Sequence, residues 1–296
     1  MKVLSFNFKG FDRLGVLQDD GETVLAVDRA NKSMPQTLMD VIKRGPYARH
    51  QLTQAQDSLE RFHFDEIELI PPIIPWATFS VTASSSDQAE AKKLSEAIYP
   101  MVSLRTPRNN VPHREVIDIP LKTKTLSCQG KLVVVMGRGG RYITLEHASR
   151  HIFGYSIYNE GHVKEFENHN SQFGMGRMFD TSAAFGPFVV TEDEFGDPYQ
   201  QTLETRIDGN VVQSTSLSRM RHTIEQVIVY ISSAVTMFPG DIICIGIPAG
   251  EEAMPQLAPD RLMNVDEQVE VSISGIGTLL NPIKDEPSTP KTVGCC

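Results

Sequence analysis

A chain of 296 residues with 40% hydrophobic and 22% charged side chains has the composition of a folded globular protein, long enough for one large domain or for one large and one small. Its 37 acidic and 28 basic residues leave a net charge of −9, which disfavours nucleic acid and anionic membrane surfaces as partners. The longest apolar run, residues 132–136, is far short of the roughly 20 residues of a spanning helix. The N-terminus lacks the apolar core of a signal peptide, and Cys128, Cys244, Cys295 and Cys296 are too scattered for a disulfide framework or zinc knuckle, so a cytoplasmic protein is expected.

In chain order, residues 13–18 and 23–28 read as a hairpin about Asp20-Gly21, a strong two-residue turn signal. A helix over 37–44 and a polar stretch over 51–63 precede Pro71-Pro72-Ile73-Ile74-Pro75, where proline removes amide donors and restricts its predecessors. This places a small β-rich N-terminal domain at 1–70 and a larger domain at 71–284. A helix is expected from the serines at 84–86 to Ile98, with Asp87 and Glu90 in a first turn that favours negative charge. Another is expected over 145–153 behind Thr144. Strands at 203–207 and 211–215 join through Asp208-Gly209. Ile224, Val227, Ile228, Ile231 and Val235 recur at helical spacing behind a Thr223/Gln226 capping box, and Pro239-Gly240 stops the run. Pro239-Gly240-Asp241 then reads as a tight turn into a strand at 242–245. Val269, Val271 and Ile273 alternate with polar residues as a further strand, and residues 285–296 read as a disordered tail. The fold class expected is α+β, mainly β.

Seven segments in one order resemble the fumarylacetoacetate hydrolase family: Leu132-Val133-Val134-Val135-Met136-Gly137-Arg138, Phe153-Gly154-Tyr155-Ser156-Ile157, Phe179-Asp180-Thr181 with Gly186-Pro187-Phe188, Asp208-Gly209 with Gln213, Phe238-Pro239-Gly240-Asp241, Gly246-Ile247-Pro248-Ala249-Gly250, and Ile273-Ser274-Gly275-Ile276-Gly277-Thr278-Leu279. The resemblance implies a mixed β-sandwich roll, usually a homodimer, with a pocket for small oxo-acids, β-dicarbonyls and enols. It also implies Mg²⁺ or Mn²⁺ held by a Glu-x-Glu pair and a later aspartate, hard oxygen ligands converging from alternate strand positions.

At the matching positions stand Gln129, Lys131 and Glu160. A lysine ammonium has no acceptor and cannot ligate a cation, so no metal cofactor is expected. Instead Lys131 and Glu160 are expected to form an ion pair in the space of the metal, with the ammonium near the substrate's oxygens. An adjacent carboxylate would keep that lysine charged. The His-x-x-Glu dyad that activates water in hydrolytic members aligns with Asp87-Gln88-Ala89-Glu90, so Glu90 survives and the histidine does not. Lys131, Glu160 and Glu90 are thus the candidate catalytic residues. Gln213, Arg177, Gln129, Lys164, His162, Ile247 and Arg105 are the candidate substrate-binding residues.

These departures point to a repurposed enzyme of specialised metabolism, performing a metal-independent, non-hydrolytic isomerisation, cyclisation or pericyclic step on a carbonyl-rich small molecule. The alternatives are a C–C bond hydrolase or decarboxylase with an altered site, which alone would retain Mg²⁺ or Mn²⁺, and an inactive binding or scaffolding homologue.

Overall fold

The computed structural model describes residues 1–82, 99–246 and 261–288. Its N-terminal segment is an antiparallel meander of β1 (Lys2–Phe8), β2 (Phe11–Leu17) and β3 (Thr23–Ala26). The β2–β3 turn sits at the expected Asp20-Gly21, where Asp20 Oδ1 accepts the Glu22 and Thr23 N–H groups and Gly21 has φ 73°. Thr37 and Asp40 form a capping box that starts α1 (Leu38–Arg44). The following residues, including the polar stretch, resolve into α2 (Pro46–Gln54) and β4 (Glu60–His63), the latter paired with β3, and β5 (Glu68–Ile70) returns to β1.

The remaining strands are β6 (Thr78–Val81), β7 (Val102–Arg105), β8 (Asn110–Val111), β9 (Ile117–Ile119), β10 (Leu126–Met136), β11 (Ile152–Val163), β12 (Ala183–Thr191), β13 (Thr202–Ile207), β14 (Asn210–Ser216), β15 (Ile242–Gly246), β16 (Gln268–Ile273) and β17 (Gly277–Asp285). One 12-stranded sheet has the order β4-β3-β2-β1-β12-β11-β10-β15-β6-β7, with β5 on β1 and β8 on β12; a 5-stranded sheet has the order β14-β13-β16-β17-β9. Lys2 and Val3 pair with Val190 and Val189, so the larger sheet runs across residue 71 without interruption.

The two sheets enclose a core that includes Leu132, Val134, Leu203, Val271 and Leu279. At Gly130 a Cβ would lie 2.5 Å from Thr205 Oγ1 and 2.8 Å from Val271 Cγ1, so only glycine lets β10 approach the second sheet this closely. The opposite face of β10 carries Val133 and Val135, which pack with Leu38 and Val41 of α1 and with Phe185. Two residues further along that face stand Lys131 and then Gln129.

Helix α3 (Ile224–Ala234) forms behind the Thr223/Gln226 capping box as its periodicity predicts. Gly240, at φ 87°, turns the chain into β15, and the Asp241 carboxylate fastens the corner by accepting the Ala77 and Phe238 N–H groups. The helix expected over 145–153 is absent. Only a 3-10 turn, Ala148–His151, forms there, because Ile152 begins β11 opposite Met136 and Gly137 donates to the His151 carbonyl. Asp285, at the start of the expected tail, closes β17 opposite Ile119. The expected helix over 84–98 and the tail from 289 onward lie outside the described residues. No helix among the described residues is long and apolar enough to cross a membrane.

Candidate active site

Strand pairing assembles the site. Gln129 on β10 stands opposite Glu160 on β11, and Lys131 opposite Tyr158, so Lys131 and Glu160 are diagonal neighbours on one face. Lys131 also faces Gly246 of β15, whose parallel partner β6 sets Ser80 beside Cys244. Just after Glu160, Gly161 admits no side chain, since a Cβ would overlap the Ser182 carbonyl oxygen.

At the centre the Lys131 ammonium lies 2.5 Å from Glu160 Oε2 and donates to Ser80 Oγ at 2.8 Å and to the Val81 carbonyl at 3.2 Å. The Ser80 hydroxyl in turn donates to Glu160 Oε1 at 2.6 Å. Arg177 donates from Nη1 to Glu160 Oε2 at 2.9 Å and from Nε to Glu167 at 2.6 Å. Arg105 Nη1 donates to the Gly161 carbonyl at 3.2 Å and lies 3.4 Å from Glu160 Oε1. The side chains of Lys131 and Arg105 are 0% exposed and that of Glu160 is 1% exposed.

Two consequences follow from counting donors. An ammonium has three N–H groups, and those of Lys131 have Glu160, Ser80 and Val81 as acceptors, so none remains for a substrate oxygen. This corrects the expectation that Lys131 offers its charge directly to a substrate. Arg105 is the reverse case: its Nε and Nη2, the two donors along one edge of the guanidinium, are buried without a hydrogen-bond partner of regular geometry, the guanidinium lying 5.8 Å from the Tyr158 ring and favouring its hydroxyl electrostatically.

Burial alone would raise the Glu160 pKa, but Lys131, Arg177 and Arg105 together outweigh it and hold the carboxyl well below the usual range. It is an anchored anion and a poor base. Burial pulls Lys131 below the ordinary lysine value, against the attraction of Glu160 and with the help of Arg177. That direction differs from the one expected for a lysine beside a carboxylate, because the cost of desolvating the ammonium exceeds the gain from a single counter-charge.

Of the other candidates, Gln129 is half-buried opposite Glu160, His162 is half-buried two residues further along β11, and Lys164 is exposed on the turn after it. Gln213 is not part of this cluster. Its Oε1 accepts from Gly130 N–H at 2.9 Å and from Thr205 at 2.9 Å, and its Nε2 donates to the Gly130 carbonyl, so its amide serves the junction between the sheets. Glu90 and Ile247 lie outside the described residues. Among the described residues, Ser80 and Glu167 also belong to the cluster but were not among the candidates. No local pattern marks Ser80, which reaches Lys131 only through the parallel β6–β15 pairing.

The residues present do not fit the divalent ion that the resemblance implies. One of its carboxylate positions is the Gln129 amide, another holds a cation, and the remaining carboxylate, Glu160, is already engaged by Lys131, Ser80 and Arg177, with Arg105 Nη1 3.4 Å away. No three His, Cys, Asp or Glu side chains converge as a cation site among the described residues.

Residues 78–284 match the family model described as fumarylacetoacetate (FAA) hydrolase C-terminal. Over 290 residues the chain is 29% identical to an oxaloacetate tautomerase of Bacillus subtilis, covering 91% of this chain and 95% of that one. It is 24% identical to a mitochondrial oxaloacetate tautomerase of Bos taurus, covering 91% and 87% respectively. A solved fumarylacetoacetate hydrolase from psychrophilic Exiguobacterium antarcticum superposes with a TM-score of 0.80 at 28% identity, covering 97% of this chain and all of that one. By name, these relatives are tautomerases and a hydrolase.

Proposed function

The chain belongs to the fumarylacetoacetate hydrolase family, and from that premise we propose that it catalyses a metal-independent, non-hydrolytic isomerisation, tautomerising or cyclising, of a small carbonyl-rich anion. The observation that carries this reading is the free edge of Arg105. Two parallel N–H donors in a water-poor site suit a carboxylate or the oxygens of an enolate, which they bind in a bidentate way. Their grip strengthens as a substrate carbonyl gains negative charge, as it does when an enol gives its O–H proton to solvent and the resulting enolate takes a proton from solvent at carbon. Among the described residues, Arg105, Arg177 and Lys131 outnumber Glu160 and Glu167, so this part of the cluster favours a bound anion.

Hydrolysis asks for a base that activates water. Among the described residues, Glu160 is held ionised by Lys131, Arg177 and Arg105, and Glu167 is tied to Arg177, so neither is suited to take that proton. The tautomerase relatives support the isomerising class, and oxaloacetate is the first probe they suggest.

The test follows the loss of enol absorbance of oxaloacetate in the presence of a chelator. The parent protein is expected to accelerate ketonisation, and Arg105→Lys, which keeps the charge and loses the fork, to slow it about a hundredfold or more, the scale of one oxyanion donor. A parent protein that leaves the enol at its uncatalysed rate but cleaves an acylpyruvate once Mn²⁺ is added would place it among the hydrolases instead.

A further inference from the structure

The oxygens around the Lys131 ammonium are a carboxylate (Glu160), a hydroxyl (Ser80) and a backbone carbonyl (Val81), at 2.5, 2.8 and 3.2 Å. Those are the ligand types a hard divalent cation takes. Position 129 faces Glu160 directly across the β10–β11 pair, on the same side of the sheet as position 131. We infer that Lys131 is a tethered cation seated where the fold can hold a divalent ion, and that it closes that seat while acting on Glu160 and not on the substrate.

The cage explains why the lysine is tolerated. A buried ammonium is costly unless paired and fully hydrogen-bonded, and here each N–H has its own oxygen. It also assigns Lys131 a positioning role: with Ser80 it fixes both Glu160 oxygens, and Glu160 in turn holds the Nη1 side of Arg105 so that the opposite edge stays free. Reversing the charge at 131 and adding a carboxylate at 129 would put three carboxylates around the vacated position, with the Ser80 and Val81 oxygens already in place.

The experiment titrates Mn²⁺ alone into chelator-stripped protein and counts bound ion by the paramagnetic resonance of free Mn²⁺, with thermal melting in parallel. The parent is expected to take up no Mn²⁺ and to melt at the same temperature with or without it. The double variant Gln129→Glu/Lys131→Glu is expected to bind one ion per chain and to melt higher with Mn²⁺, a gain that EDTA reverses. Its refolding is run with and without Mn²⁺, and folding that depends on the ion counts as the same result. One Mn²⁺ per chain in the parent, or none in the double variant under either condition, overturns the inference. It rests only on the metal-free part of the proposed function: Mn²⁺ uptake by a parent that still shows Arg105-dependent turnover in chelator would overturn the tethered cation and leave the anion-binding role of Arg105 standing.

Discussion

The Lys131 ammonium and the Glu160 carboxylate are both cut off from water, so removing one leaves the other without its nearest counter-charge. Taking away one partner of a buried pair costs about 3–5 kcal/mol. Because Glu160 keeps Arg177, Arg105 and Ser80, Lys131→Met is expected at the lower end, about 3 kcal/mol, read as a fall in the urea midpoint with an unchanged slope. Acid acts on the same group. The folded-state pKa of Glu160 lies below its ordinary 4.5, so it contributes stability above pH 4.5 that is lost progressively as the pH falls further. Urea midpoints taken down through this range should drop more steeply in the parent than in Glu160→Gln; equal slopes would remove Glu160 from the acid transition. At the level of single residues the sequence pointed to Lys131 beside Glu160, because both fall at positions that match the metal-binding carboxylates of the family it resembles. It could not show that the ammonium is fully engaged or that Arg105 keeps a free edge, since both depend on where Ser80, Val81 and Gly161 arrive through distant strand pairing.

Local chemistry made several elements legible. The Thr37/Asp40 and Thr223/Gln226 boxes start their helices where the spacing indicates, and Asp20-Gly21 and Gly240 turn where they should. Thr223→Ala, which removes a cap without touching the core, is expected to cost about 1 kcal/mol in thermal or denaturant unfolding. The expected helix over 145–153 fails for the opposite reason: Ile152 is claimed by pairing with Met136 of β10, and tertiary context overrides local propensity. Close approach between elements imposes its own demand. Gly161→Ala would drive a methyl group into the Ser182 carbonyl, and a loss of about 1–3 kcal/mol or more is expected, with displacement of the adjoining Glu160 visible as lower affinity for anions. A fully stable Gly161→Ala protein would contradict the packing described for β11 and β12.

Across the whole molecule, the order of motifs from Leu132 to Leu279 was enough to place the chain in its family, because those within the described residues mark a turn, a close approach or a strand of the roll. The continuity of the N-terminal meander with the larger sheet was not legible, since it depends on the register of Lys2 and Val3 against Val190 and Val189. A homodimer is expected. β7 ends the larger sheet with no strand on its outer side among the described residues, and Tyr99, Met101 and Leu104 beside it are exposed. Light scattering should give twice the chain mass, and a value near 32.9 kDa would count against it. If the chain's own guanidinium, and no divalent ion, receives an anionic carbonyl compound, a simple dicarboxylate should bind without metal. Calorimetric titration with oxalate, a stable planar dicarboxylate, tests it most directly when run in EDTA on the parent and on Arg105→Gln. Binding is expected to be unaltered by chelator and to weaken about ten- to a hundredfold in Arg105→Gln, the scale of a hydrogen bond to a charged group. Binding that disappears in EDTA and returns with Mn²⁺, or that Arg105→Gln leaves unchanged, would contradict that expectation.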